Sequence, residues 1–191
     1  LSMTAWVYPQ AGSTNPGAII MNKEGGGDFS FEISRQSEGA CSNPGAFQFY
    51  IGVSGQPNDC SGWAEANGTL PLNQWSHVAL TYDGSMTRAY VNGVETRAVA
   101  MSGVIPLSSG SLRIGRRTEA ASYPGSDWTG RIDEPQIYDH ALSAAEVREA
   151  WNAGVSGLCA DCARSPAGLV AGYKGEGNAD DSLLANNGTL R

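Results

Sequence analysis

The stretch that decides the fold is Trp75-Ser-His-Val-Ala-Leu-Thr-Tyr-Asp-Gly84, followed two residues later by Thr87-Arg-Ala-Tyr-Val-Asn-Gly-Val-Glu95. Apolar residues alternate along its first part, which is typical of a β-strand, and Asp83-Gly84 ends that strand. Asn92-Gly93, set between β-forming residues, is the strongest short signal for a two-residue hairpin turn. The stretch therefore predicts antiparallel strands joined by tight turns.

Further strand-like segments lie on both sides of this hairpin, each bounded by Gly, Asn or Pro. They are Ser2–Tyr8, Ala18–Lys23, Phe29–Ser34, Ala46–Ser54, Ser111–Arg116 and Trp128–Tyr138. One helix is expected at Ser143–Trp151, because Ser143 and Glu146 have the spacing of a capping box. Many antiparallel strands with one late helix predict an all-β fold, a sandwich of two antiparallel sheets.

Composition and charge exclude several classes of protein. The 191 residues contain no apolar run near the ~18 that a membrane-spanning helix needs, so we expect no membrane insertion. The net charge of −7 argues against a nucleic-acid partner, since phosphate binding needs a basic face. An acidic surface instead favours neutral ligands or hard cations.

Four motifs, in this order and spacing, carry a resemblance to a known family. They are Trp75–Gly84, Tyr90-Val-Asn-Gly93, Leu112-Arg-Ile-Gly115 and Gly130-Arg-Ile-Asp-Glu-Pro-Gln-Ile-Tyr-Asp-His-Ala-Leu-Ser143. Together they resemble the laminin-G-like, concanavalin A-like jelly roll of many secreted bacterial proteins. The resemblance implies a two-sheet jelly roll whose relatives are mostly non-catalytic modules that bind carbohydrate or protein, or that space other domains. Because a fold does not fix a function, these activities are expectations.

The end of the chain resembles the opening of the same family. Gly168–Ser182 and Asn186–Leu190 read as an opening strand and an Asp/Asn/Gly-rich loop. We therefore expect a jelly-roll body over residues 1–152, a linker with a C-x-x-C sequence over 153–167, and the opening strand and loop of a next repeat over 168–191, completing the sandwich. Closure on the same molecule is favoured by tethering, and exchange between molecules is the alternative. Neighbouring repeats of a parent protein are expected partners.

The four cysteines form two local pairs, Cys41/Cys60 and Cys159/Cys162. A Cys41–Cys60 bond would close a loop around an expected strand and stabilise the fold by roughly 3 kcal/mol on the chain-entropy model. The second pair also fits a redox motif or half of a zinc site, although zinc needs further thiols or histidines. We expect two structural disulfides, and hence a secreted or cell-surface location.

The resemblance also implies a structural calcium ion that ties the opening loop to the strand with the Ile-Asp-Asp/Glu motif. The ligands carried over by position are Asp133 in the body and Glu176, Asp181 and Asn187 in the tail. Carboxylate and amide oxygens suit Ca²⁺, which takes six to eight oxygen ligands. The alternative is that Asp181 is a solvated turn residue and that Asp133 caps a strand.

Aromatic and polar loop residues offer a candidate carbohydrate site, because sugar rings stack on Trp and Tyr while Asp and Arg bind hydroxyl groups. The candidates are Trp63, Arg116, Tyr123, Asp127 and Trp128. The alternative places Trp128 in the core, together with Trp6, Trp75 and Trp151.

Catalysis is not expected. Glycoside hydrolases of this fold carry a Glu-x-Asp-x-x-Glu triplet on one strand, and the sequence contains none. Asp133 and Glu134 are adjacent, so a regular strand would place them on opposite faces. His77 is expected to be structural, and His140 to pack or cap at the turn before the helix.

These observations predict a secreted or surface-displayed, non-catalytic module for adhesion to a glycan or an extracellular matrix protein, with calcium as a structural ion. One alternative is an architectural spacer repeat that assembles by strand donation. The other is a glycoside hydrolase.

Overall fold

The computed structural model of the chain describes residues 1–12, 18–25, 28–36, 43–53, 62, 64–117, 126–154 and 167–173. The helix and strands found there are β1 (Ser2–Pro9), β2 (Ala18–Gly25), β3 (Asp28–Arg35), β4 (Ala46–Ile51), β5 (Ala64–Thr69), β6 (Ser76–Tyr82), β7 (Met86–Val91), β8 (Val94–Ala100), β9 (Leu112–Ile114), β10 (Gly130–Tyr138), α1 (Ala144–Ala153) and β11 (Leu169–Gly172). No helix in these ranges is long and apolar enough to cross a bilayer.

The strands form two antiparallel sheets. One has six strands in the order β11-β10-β1-β6-β7-β8, and the other has five in the order β5-β4-β3-β2-β9. The predicted two-sheet antiparallel sandwich is confirmed.

A single apolar layer fills the space between the sheets. Alternate residues of each strand point into it, as the two-residue period of a strand requires. From the six-stranded sheet they include Met3, Ala5, Val7, Val78 and Leu80, and from the five-stranded sheet Phe31, Ile33, Phe47, Phe49 and Ile51. Burial of each larger side chain contributes roughly 1.5–3 kcal/mol, so this alternation fixes which face of each strand is outward.

The turn between β7 and β8 is made by Asn92 and Gly93, whose φ angles are 51° and 74°. Two successive positive φ angles are what a type I′ hairpin turn needs. Space also requires glycine at the second position, because a Cβ on Gly93 would lie 2.8 Å from Cε3 of Trp151. The hairpin predicted from Asn92-Gly93 is confirmed.

Helix α1 packs on the outer face of the six-stranded sheet. Its predicted capping box is confirmed: Glu146 N donates to Ser143 Oγ, and Ser143 N donates to Glu146 Oε2 at 2.8 Å. Beneath the helix is a second apolar cluster of Ala79, Tyr90, Tyr138, Leu142 and Val147. The same outer face also carries Trp6 and Trp75, which contact His77 and Tyr8.

Strand β11 lies at the edge of the six-stranded sheet, antiparallel to β10 of the same molecule. Ala171 is 4% exposed there, and Leu169 packs against the apolar cluster under α1. The chain therefore returns to its own sheet after residue 154. That residues 168–191 open a further repeat stays a prediction, since 174–191 lie outside the described ranges.

Three local features differ from the sequence expectations. Strand β5 was not predicted, because Ala64-Glu-Ala-Asn-Gly-Thr69 has few β-forming residues. Strand β9 is shorter than the expected Ser111–Arg116, and β10 begins at Gly130 rather than Trp128. Strand β10 also bulges, since Glu134 has φ 47° and the register with β1 shifts between Thr4 and Trp6. The simple alternation assumed for Asp133 and Glu134 does not hold at a bulge.

Candidate functional site

The end of β9 and the start of β10 bring together three of the five predicted ligand residues. Trp128 N donates to Gly115 O at 2.7 Å, which ties the approach to β10 to the turn after β9. Arg116 Nε lies 4.0 Å from Asp127 Oδ1, and the two side chains are 46% and 66% exposed. Because both side chains are exposed, the guanidinium and the carboxylate are accessible to a ligand. An exposed ion pair of this kind adds little stability to the fold.

Trp128 is half-buried and packs against the main core, while its indole Nε1 donates to Arg131 O at 3.2 Å. Trp128 therefore also has the structural role expected if it belongs to the core. Its backbone hydrogen bond to Gly115 keeps the neighbouring Asp127 next to the end of β9. The other two predicted ligand residues, Trp63 and Tyr123, lie outside the described ranges.

Arg117, which follows Arg116, turns inward. Its Nη2 lies 3.0 Å from Glu32 Oε2 and its Nε lies 3.2 Å from Glu24 Oε1. Its guanidinium carbon is 5.4 Å from the centre of the Phe29 ring. Arg117 was not a predicted site residue, because its two carboxylate partners come from β2 and β3, distant in sequence.

This ion-pair network is part of a polar outer face on the five-stranded sheet. Asn22 lies between Arg113 and Glu32 in the strand register, and its Nδ2 donates to Glu32 Oε2 at 2.9 Å. A neighbouring row joins Gln48 to Glu65. Although polar, Asn22, Glu32 and Gln48 are at most 5% exposed. The sheet face is therefore a desolvated polar surface rather than a solvated one.

Burial has a large effect on two ionisable groups. Desolvation raises the pKa of Glu32 to about 7, against the opposing effects of the Arg117 charge and the Asn22 hydrogen bond. Desolvation lowers the pKa of His77 to about 4. Near neutral pH, His77 is therefore uncharged, while Glu32 is close to its titration midpoint.

The predicted metal ligand Asp133 lies half-buried on β10, where its Oδ1 accepts a hydrogen bond from Glu134 N at 2.9 Å. Tyr173 N donates to Pro135 O at 3.2 Å, so the chain leaves β11 close to Asp133. Within the described ranges no three His, Cys, Asp or Glu side chains are grouped to hold a metal ion. The other expected ligands, Glu176, Asp181 and Asn187, lie outside those ranges.

The two expected disulfides also lie outside the described ranges, since these do not include Cys41, Cys60, Cys159 or Cys162.

Sequence reasoning also missed a set of surface aromatic residues. Trp6 and Trp75, assigned to the core in one alternative, lie on the outer face of the six-stranded sheet and are half-buried. Alternation in β1 placed Trp6 on the face opposite Met3, Ala5 and Val7. Because those three residues fill the core in the structure, Trp6 points outward. His77, expected to be structural, is 2% exposed and packs edge-on against Trp6 with ring centres 5.3 Å apart.

The family model described as the concanavalin A-like lectin/glucanases superfamily, Laminin_G_3, matches residues 1–148. The chain belongs to this family. The laminin-G-like resemblance of the four motifs is thereby confirmed. No curated protein sequence matches the chain.

Several solved structures share the fold of this chain. A candidate carbohydrate binding protein from Bacteroides ovatus superposes with a TM-score of 0.73 at 24% identity, over 98% of this chain and 51% of its own length. Domain 4 of AbnA, a GH43 extracellular arabinanase from Geobacillus stearothermophilus solved with arabinotriose, gives 0.55 at 23% identity over 78% of this chain and 64% of its own. The chain thus spans less than two thirds of either protein chain.

The CBM40 of the Ruminococcus gnavus IT-sialidase gives a TM-score of 0.58 at 13% identity, over 78% of this chain and 80% of its own length. The same CBM40 has been solved with α2,3-sialyllactose. At these identities the likenesses establish a shared fold, and the ligands are those of the other proteins.

Proposed function

We propose that the chain is a non-catalytic carbohydrate-binding module whose ligand site includes Arg116, Asp127 and Trp128. The observation that carries the proposal is the exposed Arg116–Asp127 pair beside Trp128 at the end of β9. A guanidinium supplies donors and a carboxylate supplies acceptors, which are the groups that neighbouring sugar hydroxyls need. Trp63 and Tyr123 are proposed as the stacking surfaces of the same site.

The buried network under this site supports binding by holding Arg116 in place. Arg117 is 7% exposed and forms ion pairs with Glu24 and Glu32. These buried ion pairs fix the turn that carries Arg116. A pre-positioned side chain loses less conformational entropy when a ligand binds. The saccharide complexes of the AbnA domain and of the sialidase CBM40 show that structures of similar fold bind sugars.

The proposal includes a secreted or cell-surface location, where adhesion to a glycan or matrix protein takes place, and the disulfides Cys41–Cys60 and Cys159–Cys162. It also includes a structural calcium ion held by Asp133, Glu176, Asp181 and Asn187. The support for calcium is that β11 runs antiparallel to β10 and that Tyr173 N donates to Pro135 O, so β11 ends close to Asp133. Thiol titration of the denatured, unreduced protein should find no free cysteine. Two or more free thiols would contradict the disulfides.

Binding to an array of neutral and sialylated oligosaccharides, with and without calcium, tests the function. The net charge of −7 favours neutral sugars. For any saccharide bound, Arg116→Ala and Asp127→Asn should each weaken binding about tenfold, equivalent to about 1.4 kcal/mol. Arg148→Ala, which removes an exposed arginine on α1, is the matched control and should bind like the parent. If the protein binds none of the saccharides, the proposal is contradicted and an architectural repeat is favoured.

A further inference from the structure

Beside α1, the outer face of the six-stranded sheet carries an array of side chains from three neighbouring strands, β10, β1 and β6. Its first row is Arg131, Tyr8 and Trp75, and its second row is Asp133, Trp6 and His77. Tyr8 pairs with Arg131, and Trp6 pairs with both Asp133 and His77 in the strand registers. We call these six residues the outer array.

Contacts within the rows hold the rings in place. The ring centres of Tyr8 and Trp75 are 5.5 Å apart, and those of Trp6 and His77 are 5.3 Å apart. The guanidinium carbon of Arg131 lies 5.6 Å from the centre of the Tyr8 ring. Such aromatic and cation–π contacts each contribute about 0.5–1.5 kcal/mol, so the array is ordered without a ligand.

The array remains in contact with solvent. Tyr90 and Tyr138, on the same face of the sheet beneath α1, are each 2% exposed. Trp6, Tyr8 and Trp75 are only half-buried, and Arg131 is exposed. Large aromatic side chains held on a surface at this density are a common feature of binding sites rather than of solvated faces.

We propose that the outer array is a second binding surface for a neutral glycan, separate from the site at Arg116. This inference rests on the proposed function in one respect, the class of ligand, which is a carbohydrate at both sites. Aromatic faces accept the apolar C–H faces of sugar rings. Arg131 flanks the rings and donates to sugar hydroxyl groups, and the net charge of −7 disfavours an anionic ligand.

The size of the array also favours a short saccharide over a protein. Three strands and two rows cover about 10 Å by 7 Å, given strand spacings of about 4.8 Å and a repeat of about 6.8 Å along each strand. A stable protein complex buries about 800 Å² on each partner, which is far larger. The array therefore matches one or two sugar rings.

An unsatisfied polar atom in the second row is an independent sign of a ligand. His77 is 2% exposed, and its Nδ1 has no hydrogen-bond partner within the described ranges. A buried polar group without a partner is unfavourable. A sugar hydroxyl would remove the deficit once a small movement of the neighbouring side chains opens this nitrogen, which has almost no exposed surface here. Imidazole is neutral here and can accept or donate according to its tautomer.

The experiment is an NMR titration of the full chain, labelled with ¹⁵N, against cellohexaose, xylohexaose, mannohexaose and arabinohexaose in turn. The indole signals of Trp6 and Trp75, assigned with single Trp→Phe variants, report on the outer array, and the backbone amide signals of Arg116 and Asp127 report on the Arg116 site. We expect at least one sugar to shift Trp6 and Trp75 together with a single Kd. Trp75→Ala should weaken the shift of Trp6 about tenfold, and Trp75→Phe should restore most of it.

Matched variants separate the two sites. Arg116→Ala should leave the shifts of Trp6 and Trp75 unchanged, and thermal melting checks that each variant is folded. If a sugar shifts the amides of Arg116 and Asp127 but not the indoles of Trp6 or Trp75, the outer array is not a glycan site and the proposed function stands. If no sugar shifts any of these signals, the inference is overturned, and the wider oligosaccharide array decides the proposed function by itself. Concentration-dependent self-association that Trp75→Ala abolishes would instead make the array a protein-docking face and overturn the inference.

Discussion

Arg117 Nη2 lies 3.0 Å from Glu32 Oε2, and the two side chains are 8% and 2% exposed. Because Glu24 Oε1 lies 3.2 Å from Nε of the same guanidinium, one cation holds two nearly buried carboxylates. A buried ion pair adds little net stability over apolar packing, but removal of one member leaves an uncompensated charge. Arg117 is thus the residue on which this face of the sheet most depends.

Arg117→Met should destabilise the fold by about 3–5 kcal/mol at pH 8, because two buried carboxylates lose their cation. Urea denaturation followed by tryptophan fluorescence gives the free energy of unfolding. Arg116→Met is the control one residue earlier. Its exposed pair with Asp127 predicts a change within about 0.5 kcal/mol. Equal losses in the two variants would show that the inward network is not formed in solution.

Glu32→Gln should change how stability depends on pH. The pKa of Glu32 is raised to about 7 in the fold, so the unfolded chain releases this proton at lower pH than the folded chain. Glu32 therefore lowers stability as pH rises from about 4.5 to about 7, by about 3 kcal/mol in total. Urea titrations at several pH values should show that the variant lacks this fall. A parallel pH profile for parent and variant would contradict the assigned shift.

His77 acts in the opposite direction over an overlapping range. Its pKa is lowered to about 4 in the fold, so on acidification the unfolded chain binds a proton first. His77 therefore costs stability as pH falls from about 6.5 to about 4, by about 3 kcal/mol. His77→Gln should be less sensitive to acid than the parent over this range in the same urea titrations. Direct observation of a His77 imidazole that protonates near pH 6.5 would disprove this account.

Strand β11 can be tested with two neighbouring substitutions. Ala171 is 4% exposed and Val170 is 43% exposed, although both belong to the same strand. Ala171→Asp should cost 2 kcal/mol or more, roughly, because it buries a charge without a partner, while Val170→Asp should change stability by less than about 0.5 kcal/mol. Melting and sizing over a range of concentrations measure both variants. A harmless Ala171→Asp would mean that the strand is not docked on β10.

Calcium removal tests the proposed ion. Because a ligand bound only by the folded state stabilises it by about 2.7 kcal/mol at a hundredfold excess over Kd, a chelator should lower the melting temperature. Asp133→Asn should abolish that response. A melting curve unchanged by chelator would disprove the site, whatever the effect of the substitution alone.

The sequence was sufficient where the signal is local. Asn92-Gly93 specified its hairpin through two positive φ angles, and Ser143 with Glu146 specified the start of α1. Each depends on residues within one turn of each other, so no distant contact was needed. The sandwich followed from the number and spacing of such strands.

The candidate sites depend on contacts between distant segments. Arg116 and Arg117 are chemically identical neighbours, and only the placement of Glu24 and Glu32 on β2 and β3 determines that the second is buried. Alternation similarly put Trp6 and Tyr8 on one face of β1, but it did not say which face is the core. Packing of β1 against the five-stranded sheet decides that question.

Strand β10 is held between β1 on one side and β11 on the other, and both run antiparallel to it. Tension that enters the chain at Leu1 and leaves after Tyr173 would pull β1 and β11 in opposite directions past β10. The backbone hydrogen bonds that join β10 to β1 and to β11 would then be loaded in shear. They would share the force instead of breaking one after another. The strand order that places β10 between β1 and β11 thus also makes it the strand that resists a pull on the two ends of this sheet.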